Sequence, residues 1–155
     1  MVSIVLFLVS SVSAQTLTLQ PAPVTEGYVS VGVVFTGTPR GVPPLIVQWD
    51  FLYSPDELRL APGSPSLEPA AKNAGKTLTC RGTWKKAPAV YAQRCMIAGG
   101  AKPISDGILA VLRFQVRPKN PPTKIVVQLD NIEALVNMKR IRLRKAEAVI
   151  LANAP

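Results

Sequence analysis

The sequence predicts an all-β chain, a sandwich of about nine strands in one domain, and three observations carry that expectation. The first is the run Val47 to Tyr53, where Val47, Trp49, Phe51 and Tyr53 fall on one side and Gln48, Asp50 and Leu52 on the other, before Ser54-Pro55-Asp56 turns the chain. Period two ending in turn chemistry is a half-buried strand. The second is a matching run far downstream. There Asp106-Gly107 turns, Ile108, Ala110, Leu112, Phe114 and Val116 face one way, Val111, Arg113, Gln115 and Arg117 face the other, and Pro118 stops the strand. The third is composition: 15 Pro and 10 Gly in 155 residues oppose helices, since a Pro costs about 3 kcal/mol inside one.

The other elements follow in order. Leu17 and Leu19 begin a strand; Val29, Val31, Val33 and Phe35 alternate on the next, which runs into a loop at Gly37, Pro39, Gly41, Pro43 and Pro44. After the Val47 strand, residues 61–73 are rich in Pro, Ser and Ala and read as a surface excursion. Thr77 to Cys80 and Cys95 to Ala98 are short strands, with Trp84, Lys85, Lys86 and Pro88 in the loop between them. Ile125 to Leu129, Ile141 to Leu143 and Val149 to Leu151 complete the set. Ile132, Leu135 and Val136 share a helical face, so Asp130 to Met138 reads as a loop or one helical turn. Two facing sheets then bury Val31, Val33, Trp49, Phe51, Leu112, Phe114, Val127 and Leu143 as the core. Trp49, in phase with its apolar neighbours, reads as a core aromatic.

Residues 1–14, MVSIVLFLVSSVSA, are an apolar run ending in Val12-Ser13-Ala14, the small-residue pattern that signal peptidase cuts. The expectation is a signal peptide cleaved after Ala14 and an exported domain over residues 15–155. The run is too short to span a bilayer, which takes about 20 apolar residues. Export makes Cys80 and Cys95, the only two cysteines, an expected disulfide. Closing a loop of about 15 residues stabilises by around 3 kcal/mol.

The two alternating runs together resemble the cohesin family, receptor modules of polysaccharide-degrading assemblies. The family pattern is an apolar alternating strand ending in Tyr, a Pro-containing turn and a Leu, and much later a Gly-apolar-Leu-Ala strand reading into Phe-x-Val. Here Trp49, Phe51, Tyr53, Pro55 and Leu58 match the first part and Gly107, Leu109, Ala110, Leu112, Phe114 and Val116 the second. Order and separation agree, over about Leu17 to Ala152. The resemblance implies jelly-roll topology, non-catalytic binding, and a dockerin-type protein partner held on one sheet face. Carried onto this chain, the outward positions of the matching strand are Ile46, Gln48, Asp50 and Leu52, with Gln48 where the family often has Asp or Asn.

Composition sets further limits. The chain has no His, the usual base near neutral pH, which excludes Ser-His-Asp and Cys-His nucleophilic sites. Asp50, Asp56, Glu57, Asp106, Asp130 and Glu133 are carboxylates without a catalytic motif, so no enzyme is expected. Two Cys without His make no four-ligand zinc site, and no Asp/Asn-rich calcium loop is present, so neither metal nor cofactor is expected. The +9 charge concentrates late. Arg140, Arg142 and Arg144 fall on one side of a strand, a basic stripe that protects an edge or attracts an acidic polymer. Nucleic acid is not expected in an exported chain without a stacking motif or groove-reading helix. Trp84, flanked by Lys85 and Lys86, reads as exposed. The leading expectation is therefore protein recognition in an extracellular assembly linked to polysaccharide catabolism. The alternative is direct carbohydrate binding through Trp84, Arg140, Arg142 and Arg144.

Overall fold

The structure, a computed structural model, describes residues 15–38, 40–117 and 124–150. The expected signal segment 1–14, Pro39, Pro118, Leu151 and Ala152 lie outside the described residues. Twelve strands and one short helix follow one another among the described residues. They are β1 (Thr16–Pro21), β2 (Tyr28–Thr36), β3 (Ile46–Tyr53), β4 (Leu58–Leu60), β5 (Ser66–Leu67), α1 (Pro69–Lys72), β6 (Thr77–Cys80), β7 (Trp84–Ala87), β8 (Val90–Ala98), β9 (Gly107–Val116), β10 (Ile125–Val136), β11 (Lys139–Arg142) and β12 (Ala146–Ile150). All pairings among them are antiparallel.

The strands form two sheets, one ordered β1-β2-β9-β4 with β5 also on β9, the other ordered β11-β10-β3-β8-β6 with β12 on β10 and β7 on β8. The chain crosses between sheets after β2, β3, β5, β8 and β9, so neither sheet is a run of consecutive hairpins. This is the sandwich that the alternation implies, with the jelly-roll topology that the resemblance implies. Val31, Val33, Leu112 and Phe114 from one sheet meet Trp49, Phe51 and Val127 from the other, all fully buried. Phe51 and Phe114 touch edge to face across the interface, ring centres 6.3 Å apart.

Several elements depart from the sequence reading, each for a physical reason. Asp130 to Met138 is neither loop nor helix: β10 runs through Val136 and turns at Asn137 and Met138, both at positive φ (47° and 60°), into β11. Such a left-handed pair is what a tight hairpin needs. The helical spacing of Ile132, Leu135 and Val136 arises from a β-bulge, where β10 advances three residues from Asp130 to Glu133 while β3 advances two from Asp50 to Gln48. A second bulge in β9 inserts Leu109 between Ala110 and Ile108. The inward phase therefore passes to Leu109, and Ile108 is exposed. The excursion at 61–73 contains β5 and α1, and the expected loop around Trp84 is β7. Leu143 lies beyond the end of β11 and only lines the core's edge, partly buried. Cys80 and Cys95 are bonded and directly opposed on β6 and β8.

Candidate functional site

Residues directly opposed in antiparallel strands share a face, so the register alone assembles the site on the outer side of the seven-stranded sheet. One row runs Trp84, Ala92, Leu52, Gln128; the next runs Arg94, Asp50, Asp130; a third runs Met96, Gln48, Glu133, Arg142; Ile46, Leu135 and Arg140 close it. The two groups of residues singled out separately in the sequence, the β3 strip and the Trp84/basic set, thus stand on one surface. Arg144 does not join them in a strand, because β11 ends at Arg142.

At the centre is Asp50, only 1% exposed. Its Oδ1 accepts from Arg94 Nε at 2.6 Å, and its Oδ2 accepts from Arg94 Nη2 at 2.9 Å and from Asn131 Nδ2 at 2.7 Å. Asn131 is the extra residue of the β10 bulge and sits at φ 47°, a conformation Asn tolerates better than most side chains. Burial works to raise the Asp50 pKa, but the hydrogen bonds from Arg94 and Asn131 and the nearby cations outweigh it and hold the carboxyl below its ordinary value. The same interaction raises the Arg94 guanidinium further.

A second carboxylate stands beside the first. Asp130 accepts from Lys86 Nζ at 2.9 Å and lies 3.3 Å from Lys145 Nζ, while its Oδ1 takes the backbone N–H of Asn131 at 2.8 Å. Lys86 chiefly, with the other donors, holds it down at about 2. The Lys86 contact also has a geometric meaning. In a flat sheet β7 and β10 are three strand spacings apart, about 14 Å, more than a lysine and an aspartate side chain span together. β7 therefore bends towards the outer face, which brings Lys86 to Asp130.

Glu133 completes the acidic set, 3.4 Å from Arg140 Nε and 3.9 Å from Arg142 Nε. Trp84, 38% exposed, lines an open cleft of about 300 Å³ with Arg81, Gly82 and Arg94. A second cleft of about 340 Å³ has Leu52, Val90, Val126 and Gln128 along its floor. Of the expected strip, Ile46 and Gln48 are half-buried and Asp50 and Leu52 are buried. The strip points outward but is not an open surface: Arg94 and Asn131 close over Asp50, and Leu52 lines the second cleft.

Sequence reasoning missed Arg94, Asn131, Lys86, Lys145, Arg81 and Met96 as members of this surface. Only Asp130-Asn131 carried a signal, a turn-type dipeptide inside an otherwise alternating run. Chemically, Asp50 and Asp130 are held ionised and already saturated with donors, so neither is poised to deliver a proton. Among the described residues no cluster of His, Cys, Asp or Glu could hold a metal, and no helix is long and apolar enough to cross a membrane.

No protein-family model matches the chain, and no curated protein matches it in sequence. Solved structures do. A cohesin module from the family 33 glycoside hydrolase of Clostridium perfringens is similar at a TM-score of 0.65 and 10% identity, covering 89% of this chain and 94% of that one. A chain of the CaDoc0917–CaCohA2 complex, a cohesin with a dockerin bound, is similar at a TM-score of 0.61 and 17% identity, covering 88% and 99%. A non-cellulosomal cohesin from the hyperthermophilic archaeon Archaeoglobus fulgidus is similar at 0.59 and 14%, covering 90% and 93%. Identities this low speak to architecture, and on that ground the conclusion is plain: this chain has the cohesin fold.

Proposed function

We propose that the chain is a non-catalytic binding module of cohesin type, recognising a dockerin-type protein partner on the outer face of its seven-stranded sheet. Ile46, Gln48, Asp50 and Leu52 form the axis of that face. Ile46 and Gln48 contact the partner, Leu52 floors a cleft beside them, and Asp50 fixes the guanidinium of Arg94. The observation that carries the reading is the convergence of polar and apolar side chains on one wide, rigidly cross-braced surface, within a fold shared with a cohesin solved in complex with a dockerin. Apolar contacts at Met96 and Ile46 supply affinity and the fixed polar groups supply register. Residues 1–14 export the chain, which then works in an extracellular or cell-surface assembly linked to polysaccharide catabolism.

The test is capture. Immobilised protein is exposed to the secreted fraction of the source organism, alongside a Met96→Asp variant that puts a charge in the middle of the face. A dockerin-bearing chain retained by the parent and lost on the variant is the expected result; retention of none, or equal retention by both, overturns the reading.

A second reading has one observation in its favour: Trp84 is exposed in a cleft with two arginines, a place where a sugar ring stacks. It then recruits Arg140 and Arg142, with Arg144 close behind in sequence, for an anionic glycan. Trp84→Ala should in that case abolish retention on insoluble polysaccharides, and unchanged retention removes it.

A further inference from the structure

We infer that the partner segment docking on this face is acidic: a protein segment with apolar side chains flanked by Asp or Glu, one carboxylate of which seats between Arg81, Trp84 and Arg94. The inference rests on the reading of the sheet face as the docking surface and adds the partner's charge.

The layering of charge on the face is the main ground. The three carboxylates at its centre lie beneath its cations: the side chains of Asp50, Asp130 and Glu133 are 2%, 17% and 19% exposed, while those of Arg140, Arg142 and Lys145 are 75%, 88% and 78% exposed. Two acids lie towards the other end of the face: Glu147, exposed, accepts a hydrogen bond from Gln128, and Glu57 lines the second cleft with Lys124. A partner approaching from solvent meets guanidinium and ammonium groups first, on a chain of net charge +9. Like charge at such a surface costs affinity and on-rate, and opposite charge raises both.

The notch adds a specific seat. Asp50 occupies Nε and Nη2 of Arg94, which locks the guanidinium plane at the cleft, while Arg81 is paired with no carboxylate among the described residues and shares the cleft with Trp84 and Gly82. An aspartate or glutamate entering there meets two arginine heads without first breaking an internal ion pair. A bulky neighbour is also absent at Gly82, where an added Cβ would meet nothing within 4 Å.

A protein segment fits better than an anionic glycan because of the apolar side chains that share the face with the charges. Met96, Val126 and Val149 are 38%, 40% and 44% exposed and share the face through their pairings with Gln48 and with each other. Apolar side chains of a peptide cover them; a uronate chain leaves them wet. Trp84 is also the single exposed Trp among the described residues, not a row of aromatics.

The experiment uses a synthetic amphipathic helical peptide with Leu on one face flanked by Glu, the matching peptides with Gln or Lys for Glu, and polygalacturonate. Tryptophan fluorescence reads the notch directly, since Trp49 is fully buried and Trp84 exposed. The Glu peptide is expected to shift the Trp84 signal and to bind at least about tenfold tighter than the Gln and Lys peptides. Its affinity is expected to fall about tenfold with Arg81→Ser, with Arg140→Ser/Arg142→Ser, and between about 50 and 500 mM salt. Equal binding of Gln and Glu peptides, both lost with Met96→Asp, overturns the acidic assignment while leaving the docking face in place. Polygalacturonate shifting Trp84 where the Glu peptide does not, Glu-peptide binding indifferent to the arginine variants, or no peptide binding, each overturns it as well.

Discussion

Replacing Arg94 with Met is the sharpest test of how the sheet face is held. Asp50 is buried and accepts three hydrogen bonds, two of them from Arg94. Met keeps the aliphatic stem and removes both charge-assisted donors, leaving a buried carboxylate with a single amide partner. Removing one member of a buried pair costs about 3–5 kcal/mol. The Arg94 side chain is 35% exposed, so water reaches its side of the pair and the lower end, about 3 kcal/mol, applies. In a domain of this size that is a drop of roughly 10 °C in Tm. The sign with pH follows from the direction of the Asp50 shift. In the parent the folded pKa is depressed, so its stabilisation is present above the ordinary value of 3.8 and is lost as pH falls through the lower folded value. In the variant burial dominates and the folded pKa lies above 3.8, so protonation relieves the buried charge as pH falls. Urea denaturation at pH 7 and pH 4 should therefore show a penalty that shrinks in acid, and Asp50→Asn/Arg94→Met should recover much of it. A penalty below about 0.5 kcal/mol, or one equal at both pH values, refutes the account of a sealed central pair.

Other outcomes follow from the same structure. Cys80→Ala/Cys95→Ala should lower stability by about 3 kcal/mol, read by chemical denaturation; no loss means the bonded β6 and β8 are already held by their ladder. Iodide should quench about half of the native tryptophan emission, that of Trp84, and Trp84→Phe should leave a blue-shifted, quencher-resistant signal from Trp49; quenching that survives the substitution contradicts the burial of Trp49. Asp130→Asn should remove stability that the parent holds above the ordinary carboxylate value and loses as pH falls towards about 2; a parent whose stability is flat over that window contradicts the Lys86 pairing. Phe114→Ala should cost about 3–5 kcal/mol, because Phe114 packs on both Phe51 and Tyr53 across the sandwich.

How far the sequence could be read depended on whether side-chain alternation survived locally. It survived in β2, β3 and most of β9, where the apolar residues of one phase face the core, so the sandwich, its core aromatics and the outward direction of Ile46, Gln48, Asp50 and Leu52 were legible. It failed at the two bulges. One extra residue shifts the phase by one, so Ile108 and Leu109 exchange faces, and Asn131 turns a strand into an apparent helical pattern. The polar network was illegible because its members lie on β3, β7, β8, β10 and the β11–β12 turn, and only the register brings Arg94, Asn131 and Lys86 to the two aspartates. Exposure was misjudged for the same reason: Asp50 and Leu52 point outward, yet Arg94 and Asn131 close over the first and Val126 and Gln128 flank the second, and nothing in the alternation of β3 records a neighbour supplied from elsewhere in the chain.

The central claim, that a protein partner sits on the outer face of the seven-stranded sheet, is tested most directly by hydroxyl-radical footprinting of the captured complex. Met96, Trp84 and Val126 should lose reactivity when the partner binds, while Tyr28 and Ile108 on the opposite sheet keep theirs. Protection of Tyr28 and Ile108, with Met96 and Trp84 oxidised as fast as in the free protein, would contradict it.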